Sequence, residues 1–195
     1  LDLSLNRIED LSPLRDLSKL RTLYLHVNLI SDLRPLSNLL ELRSLYLHKN
    51  RIRDLSPLAG MVQLEELYVA MNEVSDLSAL GGLQRLRRLD LSENRIADVG
   101  TLAGLTHLVD LFLYGNMIAS ADPLVKCVML TTLELHDNAL VDVAPLATLQ
   151  GLSHLTLGNN GLRDVNALAS LAGLQLLALA GNRIDTLGTW ADQTK

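Results

Sequence analysis

The sequence predicts an α/β repeat solenoid, with short parallel strands stacked on one side and short 3-10 or helical turns on the other. Nine asparagines recur every 22 residues without an insertion or deletion, and the same frame of leucines returns around each of them. Such self-similarity at a fixed period indicates stacked structural repeats. The nine positions are Asn6, Asn28, Asn50, Asn72, Asn94, Asn116, Asn138, Asn160 and Asn182.

The repeat unit reads LxxLxLxxNxIxDLxPLxxLxx, and the turn that begins at Leu42 shows it clearly. Its paired leucines, such as Leu45 and Leu47, have period two, so both point to the same side of a short strand and fill the core. The Asn follows the strand, where its amide can donate to and accept from backbone groups of neighbouring coils. We therefore expect a ladder of buried asparagine amides along the solenoid.

The turn after each Asn carries helix-start signals. An Asp precedes the Leu-x-Pro-Leu stretch in most turns, where its carboxylate can accept from free N–H groups of a tight helical turn. Proline is tolerated at the first positions of such a turn because no donor is needed there. The spacing leaves no room for a long crossover helix. The aspartates are Asp10, Asp32, Asp54, Asp76, Asp98, Asp142 and Asp164, and the prolines are Pro13, Pro35, Pro57, Pro123 and Pro145.

Composition excludes several classes of function. The net charge of −5 and pI near 5.5 argue against a nucleic-acid partner, which would favour a basic face. Asn, Asp and Arg recur in every turn, so no apolar run is long enough for membrane insertion. The single cysteine, Cys127, falls in a leucine position and is interpreted as a buried thiol.

Three segments carry a resemblance to a known family: NLISDLRPLSNLLEL (28–42), NRIRDLSPLAGMVQL (50–64) and NALVDVAPLATLQGL (138–152). They resemble the 22-residue class of leucine-rich repeats, typified by the phosphatase-regulator type and the bacterial internalins, and are most similar in consensus to the internalins. The resemblance covers the whole chain. It implies a right-handed, curved horseshoe with a concave parallel sheet, and partner binding through that sheet.

The sequence departs from the family pattern in two ways. The turn NMIASADPLVKCVML (116–130) has Ser120 in place of Asp and Ala121 in a leucine position, so we expect a kink or looser packing there. The internalins' N-terminal helical cap and C-terminal immunoglobulin-like segment have no counterpart. Leu1 begins in mid-coil, and Trp190 takes a leucine position shortly before the sequence stops. We therefore expect residues 1–195 to form a single solenoid, truncated mid-repeat at both ends, from a longer protein.

Function is expected on the sheet face, which we define as the side chains of each strand that point away from the core, for example Ser44, Tyr46 and His48. These positions number 26 of 195 residues, yet they hold five of the six aromatic residues and four of the five histidines. Exposed aromatics concentrated on one surface are typical of a binding face. Strand propensity alone explains their place in strands but not their absence elsewhere.

The sheet face changes along its length. The first full turns are aromatic and basic, with Arg21, Arg43, Lys49 and Arg51 at the flanks; the middle is mainly acidic, with Glu93, Asp137 and Arg87 beside it. The last turns present Thr156, Gly158, Ala178 and Ala180, which are interpreted as a surface that takes no part in binding. The predicted partner-binding residues are Tyr24, His26, Tyr46, His48, Glu66, Tyr68, Arg88, Asp90, Asp110, Phe112, Tyr114, Glu134 and His136.

Catalytic and metal sites are not predicted. His26 and His48 lie on adjacent strands but lack a third ligand, because the neighbouring positions hold Ser4 and Ala70. Ser92, Asp110 and His136 can be drawn as a hydrolase triad, yet they lie on three successive strands and no glycine turn suggests an oxyanion hole. No phosphate-binding or dinucleotide motif occurs, so no cofactor and no enzyme activity are expected.

Two non-catalytic functions therefore stay open. The first is a protein-recognition module, either a surface adhesin or receptor or an intracellular regulator, that binds another protein through the concave face. The second is a structural scaffold or docking element in a large assembly, such as a cilium or a cell envelope. The aromatic sheet face favours the first. A signal peptide or wall anchor in flanking sequence would select the adhesin, and coiled-coil flanks would select the scaffold.

Overall fold

Eight short parallel strands, one in each of eight successive coils, form a single sheet in the computed structural model, which describes residues 1–188. Each strand pairs with the next in the chain, and each register step is 22 residues, as in Tyr24↔Tyr46↔Tyr68. The first coil adds one bridge, Asp2↔Tyr24. The strands are β1 (Thr22–Tyr24), β2 (Ser44–Tyr46), β3 (Glu66–Tyr68), β4 (Arg88–Asp90), β5 (Asp110–Phe112), β6 (Thr132–Glu134), β7 (His154–Thr156) and β8 (Leu176–Ala178).

Short 3-10 helices return the chain opposite the sheet, as the spacing predicts. Five of them carry a proline as their second residue. In seven of the eight turns an Asp lies one residue before the helix N-cap, and its Oδ1 accepts the N–H two residues further on, at 2.8 Å for Asp54 and Ser56. The helices span Ser12–Leu14, Arg34–Leu36, Ser56–Leu58, Ser78–Leu80, Gly100–Gly104, Asp122–Lys126, Ala144–Thr148 and Asn166–Ser170.

Hydrogen bonds to these carboxylates shift their acidity. The Arg34 side chain, and then the Arg34 backbone N–H, lower the pKa of Asp32 to about 2. Hydrogen bonds from Ser12 and from Ser78 likewise lower the pKa of Asp10 and of Asp76. The carboxylates are therefore charged at neutral pH and keep the first N–H of each helix satisfied.

The turn with the unusual sequence is regular. Ser120 Oγ accepts the N–H of Asp122 at 3.1 Å, which replaces the carboxylate of the other turns, and Ala121 is buried. The pairing of β5 with β6 continues through this turn in the same register as its neighbours. The expected kink is therefore absent from the strand pairing, because a hydroxyl can make the same local hydrogen bond as a carboxylate.

The core is one continuous stack of leucine, isoleucine and valine side chains between the sheet and the helices. The paired strand leucines, such as Leu45 and Leu47, are fully buried. Cys127 is buried among them, its thiol within 3.3 Å of the Leu102 carbonyl oxygen, and burial raises its pKa to about 11. A thiol with that pKa is protonated at neutral pH and unreactive.

The asparagines join successive coils through the backbone. Asn94 Nδ2 donates to the carbonyls of Val69 in the preceding coil and Leu91 in its own coil, both at 3.0 Å, and Oδ1 accepts the N–H of Val74 at 2.9 Å. The same three contacts recur at all eight asparagines from Asn28 to Asn182. The Asn6 side chain donates only within its own coil, to the carbonyls of Leu3 and Ser4. The ladder thus consists of amide-to-backbone bonds.

The residue before each asparagine has a left-handed backbone. Its φ lies between 50° and 76° in all nine coils, so the chain turns sharply there. Only two of the nine are glycines, Gly115 and Gly181. The others are Leu5, Val27, Lys49, Met71, Glu93, Asp137 and Asn159, residues for which this conformation is unfavourable to different degrees.

Within residues 1–188, no helix has the length and apolar character required to span a bilayer. Trp190, which the sequence places in a leucine position, lies outside the described residues.

Candidate functional site

The strand register arranges the sheet-face residues in three parallel columns. The first column runs through Glu66, Arg88 and Asp110, and the middle column through Tyr46, Tyr68 and Asp90. The third column follows two residues after the middle one. Neighbours within a column come from adjacent coils, about 4.8 Å apart as parallel strands require. Of the thirteen predicted partner-binding residues, twelve are half-buried and Arg88 is exposed.

Three tyrosines stack in the middle column. The ring centroids of Tyr24 and Tyr46 lie 4.5 Å apart with an interplanar angle of 20°, and those of Tyr46 and Tyr68 lie 4.7 Å apart at 6°. We call Tyr24, Tyr46 and Tyr68 the tyrosine ladder. Burial raises the pKa of Tyr46 and of Tyr68, with nearby Glu66 adding to the effect. Tyr46 and Tyr68 therefore present uncharged hydroxyls at neutral pH.

Two histidines stack beside the ladder in the third column. The ring centroids of His26 and His48 are 4.3 Å apart and nearly parallel, and the ring of Tyr24 meets His26 edge-on at 6.3 Å. Burial, and then the neighbouring His26, lower the pKa of His48. His26 Nδ1 is buried without a hydrogen-bond partner among the described residues. This pair extends the aromatic surface to two columns in the first coils.

A chain of polar contacts crosses four coils next to the tyrosine ladder. The Tyr46 hydroxyl donates to Glu66 Oε2 at 2.9 Å. Arg88 lies between two carboxylates, 3.6 Å from Glu66 and 3.0 Å from Asp110. Arg88 therefore neutralises part of the acidity that the sequence predicts for the middle of the sheet face. These contacts hold the ladder hydroxyl and both carboxylates in fixed positions.

A second aromatic group lies towards the C-terminal end of the sheet. The rings of Tyr114 and His136 stack with centroids 4.5 Å apart, and His136 Nδ1 is 2.9 Å from Thr156 Oγ1. Phe112 lies between Asp90 and Glu134 in the middle column. Burial raises the pKa of Tyr114, and the carboxylates of Asp90, Glu93 and Glu134 raise it further. This sector combines aromatic rings with acidic neighbours.

The structure does not assemble the triad that the sequence allows. Ser92 is fully buried, although its position belongs to the sheet face. Asp110 is paired with Arg88, and His136 contacts Thr156, so neither orients the other. Among residues 1–188, no three His, Cys, Asp or Glu side chains are grouped as metal ligands would be, and the His26 and His48 rings stack face to face.

The sequence interpretation identified only part of a surface at the amino-terminal ends of the strands. A cavity of about 290 Å³ there is lined by Glu66, Arg88 and Asp110, which are predicted partner-binding residues, and by Glu65, Arg87 and Val109, which are not. A second cavity of about 400 Å³ adjoins it through Glu65 and Arg87. The residues directly before the strands belong to neither the core pattern nor the sheet face, so periodicity gives them no role. Only their recurrence at one place in successive coils could have indicated a shared surface.

Known families and structures match this chain closely. Models described as leucine-rich repeats match residues 1–38, 41–82, 84–126 and 129–184. The chain therefore belongs to the leucine-rich-repeat family. An internalin from Listeria monocytogenes is 37% identical with a TM-score of 0.96, and internalin C2 from the same organism is 34% identical with a TM-score of 0.87. The repeats are of the internalin type, and the solenoid is curved with its sheet on the concave side.

The extent of these matches differs between relatives. The internalin match covers 100% of this chain and 58% of the other, and the internalin C2 match covers 89% and 77%. A plant peptide hormone receptor, RGFR1 in complex with RGF2, shares the fold with 23% identity and a TM-score of 0.78, covering 92% of this chain and 30% of the receptor. No curated protein sequence matches significantly. The leucine-rich-repeat family and the similar internalins indicate a protein-interaction module.

Proposed function

We propose that this chain is a non-catalytic recognition module that binds another protein through the sheet face. The observation that carries the proposal is the tyrosine ladder, in which three aromatic rings stack on a surface that the fold itself does not cover. Tyrosine is enriched in interfaces because it offers a large contact area at low conformational entropy, together with a polar hydroxyl.

The arrangement around the ladder supports a preorganised surface. The Tyr46 hydroxyl is already bonded to Glu66, and Arg88 holds Glu66 and Asp110. Side chains fixed in this way lose little additional entropy when a partner binds. The similarity to internalins, and the plant receptor that shares the fold and holds RGF2, are consistent with recognition of a protein or peptide.

The charges on the sheet face favour a particular orientation of the partner. The ladder and the histidine pair are flanked by Lys49 and Arg51, whereas Asp90 and Glu134 lie further along the sheet. A partner with an aromatic or acidic end and a basic centre fits this order. Charges of this kind act mainly on the rate and orientation of encounter.

Photo-crosslinking tests which surface meets the partner. A benzophenone amino acid would replace Ser44 on the sheet face in one variant, and exposed Ala59 on the helical side in another. We expect the variant with the crosslinker at position 44 to form light-dependent adducts with one partner protein, and the variant with the crosslinker at position 59 to form none. Adducts from position 59 alone would place the partner on the convex side and contradict the proposal.

A further inference from the structure

A groove runs along one edge of the solenoid, outside the sheet face. Its cavity of about 400 Å³ is lined by Glu65, Gln84, Arg85, Arg87, His107 and Met129, and we call it the edge groove. Arg85, His107 and Met129 each lie three residues before a strand in three successive coils, and Arg87 directly precedes β4. The 22-residue repeat therefore places these four side chains side by side.

The edge groove holds positive and polar groups that the fold does not use. Within the part of the chain that the structure describes, neither the Arg87 guanidinium nor the His107 ring has a hydrogen-bond, ion-pair or ring partner. Arg85 donates only to the neutral side chain of Gln63. The one lining carboxylate, Glu65, is paired at 3.1 Å with Arg43. Arg88 on the sheet face, by contrast, pairs with two carboxylates.

Exposed apolar surface adjoins these groups. Met129 is 48% exposed and its neighbour Val128 is 61% exposed. Methionine adapts its shape to varied apolar partners, and arginine binds carboxylates in a bidentate geometry. The edge groove therefore combines a guanidinium without a paired carboxylate, at Arg87, with exposed apolar surface at Met129.

From these contacts we infer that the edge groove is a second protein-binding site, which takes a segment of a partner with a carboxylate side chain next to an apolar one. The carboxylate binds Arg87, with His107 alongside it, and the apolar side chain packs on Met129. Charge complementarity selects an acidic segment, and the methionine selects an apolar neighbour. The site is separate from the tyrosine ladder and does not depend on the function proposed for it.

A peptide titration followed by NMR tests the edge groove. The probe is the capped tetrapeptide Leu-Glu-Leu-Glu, and the signals are the Met129 methyl and the Arg87 side-chain N–H. We expect both signals to shift together and to saturate. Arg87→Gln should weaken binding at least about tenfold, because a charge-assisted hydrogen bond is lost. The peptide Leu-Gln-Leu-Gln should bind the unaltered chain about as weakly as Leu-Glu-Leu-Glu binds the Arg87→Gln variant.

Two matched variants make the result specific. Arg163→Gln removes another exposed arginine, away from the groove, and Tyr46→Ala alters the tyrosine ladder. Neither variant should change the titration of the edge groove. Absence of saturable shifts at Met129 and Arg87, or shifts confined to the sheet face, would overturn the inference. An equal effect of inorganic phosphate, with no change at Met129, would show a simple anion site and overturn it too.

Discussion

Seven of the nine coils contain a residue whose backbone conformation is set by the fold rather than by its own preference. The left-handed turn before every asparagine brings the amide inward, and the structure imposes it on Lys49 and Val27, whereas Gly115 adopts it readily. A left-handed conformation costs an ordinary residue about 1 to 2 kcal/mol. The chain therefore stores a small amount of strain at each such position.

Replacing Lys49 by glycine should stabilise the protein. Lys49 is exposed at a φ of 58°, so Lys49→Gly removes strain without removing core contacts. We expect the free energy of unfolding to rise by about 1 kcal/mol relative to Lys49→Ala, as measured by urea denaturation. The reciprocal variant Gly115→Ala should lower it, since its new methyl group would meet Glu93 Cγ at 3.1 Å at a φ of 65°. Equal stability of Lys49→Gly and Lys49→Ala would argue against stored strain.

Asn94 tests the asparagine ladder at its centre. Asn94→Ala leaves the carbonyls of Val69 and Leu91 and the N–H of Val74 without their partner in a buried site. We expect a loss of about 1 to 3 kcal/mol in the free energy of unfolding. Asn6→Ala is the control, because Asn6 is exposed and its side chain bonds only within its own coil. If both variants unfold at the temperature of the unaltered protein, the ladder contributes no stability.

At the scale of the strand and its neighbours, side chains that share a column stabilise one another. Tyr46 contacts a tyrosine ring on each side and is half-buried, so its side chain contributes to the packing of the sheet face. Aromatic pairs are worth about 0.5 to 1.5 kcal/mol each, so Tyr46→Ala should lower stability by at least about 1 kcal/mol.

The pair of His26 and His48 makes the free energy of unfolding depend on pH. His48 faces His26, Lys49 and Asp90, and burial and His26 together lower its pKa in the folded protein. As the pH falls through the unfolded value of about 6.5, the unfolded chain takes up this proton before the folded one does. The contribution of neutral His48 to the free energy of unfolding is therefore complete above that pH. It is lost as the pH falls towards the pKa of His48 in the folded protein.

Denaturation at a series of pH values measures this effect. Between pH 7 and pH 5 we expect the free energy of unfolding to fall less in His48→Gln than in the unaltered protein. His154→Gln, at an exposed position of the same sheet face, is the control. Hydrogen bonds lower the pKa of Asp10, Asp32 and Asp76, so these carboxylates stay charged throughout this pH window. Parallel pH profiles for all three proteins would contradict the assignment to His48.

The sequence was sufficient to predict the structural features that recur with the 22-residue repeat. Strand register, helical turns and the hydrogen bonds of Asn94 follow from the 22-residue period, because identical coils stack with identical contacts. The left-handed turns could not be predicted, since the backbone requirement is met by residues as different as Val27 and Glu93. The burial of Ser92 and the pairing of Arg88 depend on side-chain conformations that periodicity does not encode.

At the scale of the whole molecule, the solenoid is held together between neighbours. Every strand pairs only with the strands of adjacent coils, so a terminal coil has half the contacts of a central one. Amide hydrogen exchange should therefore be fastest around Asp2 and around β8, and slowest around β4 and β5. Protection factors that are uniform from one end of the sheet to the other would contradict this nearest-neighbour description.

The two surfaces proposed for binding lie on different parts of one sheet. The tyrosine ladder lies on the sheet face, whereas the edge groove lies at the amino-terminal ends of β3 to β6. A partner that used both surfaces would gain effective concentration from the second contact. Variants of Tyr46 and of Arg87 should then reduce its affinity separately.

The affinity of the crosslinked partner for a ladder variant tests the central claim most directly. Titration calorimetry would compare the unaltered chain, the Tyr46→Ala and Tyr68→Ala double variant, and Ala178→Ser in the last turns of the sheet face, where no binding is expected. Circular dichroism would verify that each protein is folded. Truncating an aromatic anchor costs about 2 kcal/mol or more, so we expect binding by the double variant to weaken at least about thirtyfold. Ala178→Ser should bind normally. Unchanged affinity of the folded double variant would contradict recognition through the sheet face.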